Sequence, residues 1–194
     1  MPKSEEQLER VREESRERIL RAALLLFARQ GYESTSIREI AREAKISQGL
    51  MYNYFAGKDD LLRAIFSRSM AEAREAFTPA PVDAPPAERI ERVIRGSLAL
   101  VGRNVEFWRL SYSLRMQPSV LRGGAEEIRA WSESLRREIE AVLAAAGVAE
   151  AAVEAAVLFA LIDGVAQHHA MAPRRYPLEQ VTGAIVARYR ALCS

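Results

Sequence analysis

The chain has a single cysteine, Cys193, one residue from its end, so no internal disulfide can form. It has only two histidines, His168 and His169. Adjacent residues on a helix point about 100° apart, so the two cannot chelate one metal as a pair. No HExxH, CxxC or carboxylate–His cluster accompanies them, and no metal or other cofactor is expected. A Gly-rich phosphate loop and a nucleophile–base motif are also missing. No uncharged run approaches the ~18–20 residues of a membrane span. The longest apolar stretch, 155–162, lies between Glu154 and Asp163. Residues 1–18 are highly charged and do not resemble a secretory signal, so the expectation is a cytoplasmic protein that does not enter a membrane. Period-2 strand patterns, repeats and low-complexity tracts are absent.

Net charge is only +2 across 194 residues, but it is unevenly spread. Residues 15–58 hold eight Lys/Arg against four Glu, residues 1–14 hold three basic and five acidic groups, and residues 59–194 balance. A local positive excess of this kind suits a phosphate-binding surface. It coincides with the most structured motif in the chain, SIREIAREAKISQGLMYNYF. Ser36 followed three residues later by Glu39 spells a capping box. Ile37, Ile40, Ala41 and Ala44 then give a short helix with one apolar face. Lys45 and Ile46 make a turn, and Ser47 is placed to N-cap a second helix through Phe55. Met51 and Phe55 face inward. Gln48, Gly49, Tyr52, Asn53 and Tyr54 are left outside, where a face of amides and phenols needs a polar partner. A helix-turn-helix with that outer face suits the major groove.

The pattern Arg18-Ile19-Leu20, Ala23, Leu26-Phe27, Gly31-Tyr32, Thr35-Ser36-Ile37, Ile40-Ala41, Ala44, Ser47, Gly49, Tyr52, Tyr54-Phe55, Lys58 and Leu61-Leu62 resembles the N-terminal domain of TetR-type (TetR/AcrR) transcriptional regulators. The family often has Gly where this chain has Lys45, which would be strained by roughly 1 kcal/mol if its φ is positive. The resemblance implies an all-α fold, with an N-terminal three-helix helix-turn-helix DNA-binding domain and a C-terminal helical ligand-binding and dimerisation domain. It implies a ligand-responsive dimeric regulator, a repressor released from a palindromic operator by a small, largely apolar ligand such as a fatty acyl-CoA, a fatty acid or a planar aromatic. Double-stranded operator DNA, a small-molecule effector and a second copy of the chain are the expected partners, and no enzymatic activity is expected. The competing readings are an all-α enzyme and an interaction protein that keeps the helix-turn-helix only as scaffold.

Residues 1–14 read as a polar arm or an extension of the first helix, 15–58 as the DNA-binding domain and 59–194 as the ligand-binding and dimerisation domain. Thr35, Ser36, Tyr52, Tyr54 and Lys58 are expected on phosphates, Gln48 and Asn53 on base edges. Ser47 caps the recognition helix, and Gly49 lets the backbone come close. A helix over about 59–77 links the two domains, and Thr78–Pro86 reads as a stiff connection. Phe66, Met70, Phe107, Trp108, Tyr112, Met116, Trp131, Phe159 and His168 are candidates to line a ligand cavity. Ala152, Ala156, Ala160 and Gly164, spaced four apart, form a ridge of small residues. In the family the last two helices build the dimer interface, so this ridge, with Val181, Ile185 and Tyr189, is expected there.

Overall fold

A computed structural model describes residues 5–78, 80–81, 83–115 and 125–194. Every regular element among them is a helix: α1 (Glu5–Gln30), α2 (Ile37–Glu43), α3 (Gln48–Tyr52), α4 (Lys58–Ala76), α5 (Pro86–Arg103), α6 (Val105–Leu114), α7 (Ala125–Ala145), α8 (Ala151–Met171) and α9 (Leu178–Leu192). The all-α expectation therefore holds. Met116 and the break expected at Gly123-Gly124 lie outside the described residues, as does Pro79 of the connection.

The chain divides into two compact units, and the division falls between Ser69 and Met70, well inside α4, rather than at residue 58. The first unit takes in residues 5–69 with 110–115, the second 70–109 with 125–194. Both α4 and α6 therefore contribute to each unit.

In the first unit α1 packs on α2 and α2 on α3, and Ile19, Leu20, Ala23 and Phe27 of α1, Ile40 and Ala41 of α2, Met51 of α3, and Leu61, Leu62 and Ile65 of α4 are all buried. Each large side chain withdrawn from water contributes about 1.5–3 kcal/mol, so this stripe decides how the short helices stand. Among the described residues α1 runs from Glu5, so the segment read as an arm continues the first helix. Leu8 and Val11 remain exposed there, so packing does not hold these turns. Strong helix formers and an acidic first turn (Glu5, Glu6) do, together with the Arg16–Glu13 pair at 3.7 Å. At its other end α1 stops at Gly31, whose φ of +89° only glycine adopts readily.

In the second unit α5 packs against α7, α8 and α9. It buries Ile90, Val93, Ile94, Leu98 and Val101. Pro86 opens it at the first helical position, where a missing N–H costs nothing. A Schellman-type turn ends α7: the Val148 N–H reaches the Leu143 carbonyl at 3.1 Å and Gly147 takes φ +75°. Polar clasps fix the bundle. Arg89 pairs with Glu138 at 3.1 Å, and Glu91 accepts from both Arg95 and Arg190. The Tyr189 hydroxyl donates to Glu154 at 2.8 Å. By length and composition α8 could cross a membrane, but Glu154 and Asp163 interrupt it.

Candidate nucleic-acid interface

The capping box expected at Ser36 is complete. The Ser36 N–H donates to the Glu39 carboxylate at 2.8 Å, its hydroxyl to the same oxygen at 2.7 Å, and the Glu39 N–H returns to the Ser36 oxygen at 3.2 Å. Those bonds hold the Glu39 carboxyl below its usual range, the Ser36 side chain first among the causes. Between α2 and α3 the chain makes a second Schellman-type turn, the Ile46 N–H reaching the Ala41 carbonyl at 3.0 Å. Lys45 sits at its left-handed position with φ +57°, the place where the family often has glycine.

Ser47 caps α3, accepting the Leu50 N–H at 3.1 Å. That helix is shorter than the sequence suggested. It ends at Tyr52, with Asn53 as C-cap, and Phe55 follows as a buried plug. Met51 is fully buried, while Gln48, Gly49, Tyr52 and Asn53 are exposed and Tyr54 is half-buried. Leu50, absent from the sequence reading, is exposed as well. Gly49 has an ordinary helical φ, and a Cβ built on it meets nothing within 4 Å. Neither backbone strain nor internal crowding therefore calls for glycine at that position.

Two expected phosphate ligands are committed elsewhere. Thr35 is buried; its hydroxyl donates to the Gly31 carbonyl at 2.8 Å and accepts from the Gln30 amide at 3.3 Å. It ties the end of α1 to the start of α2 and cannot reach a phosphate as expected. Lys58 donates to the carbonyls of Tyr32 (2.9 Å) and Glu33 (3.2 Å), with its ammonium 4.6 Å from the centre of the Tyr32 ring. One of its three N–H donors remains for an outside anion. Tyr32 in turn donates to Asp59, and burial followed by that carboxylate raises its pKa. Arg38 and Arg42 of α2 and Lys45 of the turn after it are exposed.

In the second unit the small-residue row stands as follows. Ala152, Ala156 and Ala160 are exposed and Gly164 is half-buried, and between them Val153, Val157 and Leu161 are 58%, 43% and 38% exposed. The outer side of α8 is thus apolar and uncovered among the described residues. Val181 on α9 is half-buried, but Ile185 and Tyr189 are buried in the chain's own core. These two do not belong to a surface interface, because α9 lays its inner face along α5 and turns Tyr189 toward Glu154.

Of the cavity candidates, Phe66, Met70, Phe107 and Trp108 are buried, with the last two rings edge-on at 5.3 Å. Tyr112, Trp131 and Phe159 are half-buried. Arg115 stands over Tyr112, and Trp131 meets Phe77 edge-on at 5.5 Å. His168 is exposed and stacks on Tyr176, outside the helical core, so it does not line an interior cavity. His169 is the buried histidine. Among the described residues no group of three His, Cys, Asp or Glu side chains is placed to hold a metal ion.

Two family models match the chain. One, described as bacterial regulatory proteins, tetR family, covers residues 19–65, and one described as BetI-type transcriptional repressor, C-terminal, covers residues 86–193. The HTH-type transcriptional regulator HbdR of Aromatoleum sp. (strain CIB) is 37% identical over 115 residues, 56% of this chain and 50% of its own. AcrR of Shigella flexneri is 41% identical over 63 residues, 32% of this chain and 29% of its own. The chain thus spans half the length or less of these curated relatives. Among solved structures, a TetR-like transcriptional regulator from Rhodococcus sp. RHA1 superposes with a TM-score of 0.78 at 24% identity, covering 93% of this chain and 96% of that one. A tetR-family transcriptional regulator from Streptomyces coelicolor gives 0.64 at 28%, covering 93% and 80%.

Proposed function

The chain belongs to the TetR family of bacterial regulatory proteins, and from that premise we propose that it is a homodimeric repressor, held on an operator by α2 and α3 and released by a small, largely apolar effector. One observation carries the DNA part. The exposed face of α3 presents Gln48, Gly49, Tyr52 and Asn53, and the glycine among them has no internal reason to be there. Glycine inside a helix costs roughly 0.5–1 kcal/mol relative to alanine, so its presence fits a surface that another backbone or base edge must approach closely. Gln48 and Asn53 offer amides that bond adenine in a bidentate manner. Tyr52, Tyr54, Ser36 and the remaining donor of Lys58 supply phosphate contacts that set the register.

A palindromic operator needs two such units about one helical turn apart. The uncovered side of α8 supplies the means of pairing. Val153, Val157 and Leu161 flank the row Ala152–Ala156–Ala160–Gly164, and a second copy laid along it would bury both. Small residues let the two helices approach closely. Glu154 and Asp163 within α8 speak against lipid as the covering partner, so the protein is taken as cytoplasmic. The effector would occupy the second unit, where the buried Phe107 and Trp108 favour an apolar ligand. It can shift the equilibrium only by favouring the arrangement that does not bind DNA, with typical couplings of about 1–3 kcal/mol.

The test is selection of a binding site from random double-stranded DNA with the full chain, followed by sedimentation of wild type and Gly164→Leu. A palindromic site bound by dimers is expected. Gly164→Leu, which overfills the row, should sediment as monomer and lose the site. A Gly164→Leu protein that stays a tight dimer places the interface elsewhere. Calorimetry with fatty acyl-CoA, free fatty acids and planar aromatics, with and without the selected duplex, then tests induction. Equal ligand affinity in both conditions rules out release by that ligand.

A further inference from the structure

The DNA-binding face carries one residue that hydrogen bonding does not explain. Leu50 is 38% exposed in the middle of α3. Its backbone is fully used locally, the N–H by Ser47 at 3.1 Å and the carbonyl by the Asn53 N–H at 3.1 Å. Its side chain is not. At 100° per residue, the buried Met51 marks the inner side of the helix, and Gly49 and Asn53 point away from it. Leu50 and Tyr52 flank that outward pair, one on each side. A lone exposed leucine is unremarkable on an ordinary surface. Here it stands beside a glycine with open space above it, on a face whose other side chains are polar. Whatever docks on Gly49 must present an apolar group within reach of Leu50.

The major-groove edges of the four base pairs offer one apolar group, the C5-methyl of thymine; the rest are donors and acceptors. We infer that Leu50 reads a thymine methyl, so that each operator half-site carries a thymine next to the bases met by the amide side chains of α3. The inference rests on the DNA-binding reading above and adds to it which base this chain selects and by what chemistry. Leu50 acts here as a specificity-determining residue. It contributes no hydrogen bond and no charge, so its contribution should not depend on salt, unlike the phosphate contacts.

Replacing thymine by uracil removes that methyl and leaves base pairing unchanged, which isolates the contact. The full chain is first used to select a duplex from a random double-stranded pool, and each thymine of that duplex is then replaced singly by uracil. For wild type, one position per half-site should weaken about fourfold, the change that corresponds to about 0.8 kcal/mol for one buried methyl-sized group. Leu50→Met should keep that sensitivity, and Leu50→Ser should lose it while still binding the duplex at lower affinity. Two outcomes overturn the inference: no thymine sensitive to loss of its methyl, or the same sensitivity in Leu50→Ser. A chain that enriches no duplex at all overturns the DNA-binding reading, and this inference with it.

Discussion

Gly49→Ala separates what the fold requires from what DNA binding requires, because the structure gives the two effects opposite signs. In the free protein the added methyl meets nothing within 4 Å and the backbone φ is one that alanine prefers. The substitution should therefore stabilise the chain by roughly 0.5–1 kcal/mol, the ordinary helix-interior difference between the two residues. That is about 1–4 °C in melting temperature for a chain of this size. On DNA the same methyl stands where a base edge or sugar should come closest. Inserting a methyl into a packed contact typically costs about 1–3 kcal/mol, and a dimer meets it at both half-sites. Affinity for the selected duplex should fall at least tenfold. Melting must be followed at one fixed protein concentration, since the proposed dimer would make it concentration-dependent. Fluorescence anisotropy on the labelled duplex supplies the second reading. A variant that melts higher yet binds the duplex as tightly as wild type refutes the close approach. One that melts lower refutes the claim that nothing inside the protein needs the glycine.

Three further substitutions probe the same unit. Lys45→Gly relieves a left-handed residue at φ +57° and should raise stability by about 1 kcal/mol in urea unfolding; an unchanged midpoint would show that the turn carries no strain. Lys58→Ala should both destabilise the unit by about 1–2 kcal/mol, through the Tyr32 and Glu33 carbonyls, and reduce the salt dependence of DNA binding by about one unit. Lost stability with an unchanged salt slope would make Lys58 purely structural. Glu39 has a folded pKa below its unfolded value, so its share of stability is present above the unfolded carboxylate range and fades as pH falls through it. Glu39→Gln should therefore be less stable than wild type near neutrality and equal to it in acid, as urea midpoints across pH would show.

What could be read directly from the sequence was local. A capping box spans four residues, and Ser36 with Glu39 forms it as expected because both partners lie within one helical turn. The same holds for Ser47 as cap, for Met51 on the inner side of the second helix and for Phe55 as a buried residue just after it. Features that depend on a distant partner were not legible. Thr35 has the hydroxyl a phosphate contact needs, but the nearest acceptor in the fold is the Gly31 carbonyl, and burial removes the alternative. The periodicity of α9 identifies its apolar face but not that α5 covers it, so Tyr189 was assigned to a surface that it never reaches. His168 and His169 differ by one helical step, and only packing decides which is inside. The first turns of α1 read equally as a polar arm or as an extension of the first helix, and the sequence pattern did not decide between the two. A helix held by intrinsic propensity and an acidic first turn leaves no apolar stripe to find.

Leu50 belongs to a further class. The sequence placed Met51 on the inner side of the second helix and gave Leu50 no side, and the structure leaves Leu50 exposed. Hydrophobicity sorts residues into inside and outside on the assumption that water is the only alternative to the core. At a recognition surface a second alternative exists, the partner. Sequence reading therefore fails most readily where an apolar side chain is kept for a contact absent from the free chain. Leu50 on α3 and Val153, Val157 and Leu161 on α8 are among the exposed apolar side chains of the described residues. The first lies on the face proposed here to meet DNA, the others on the face proposed to meet a second copy.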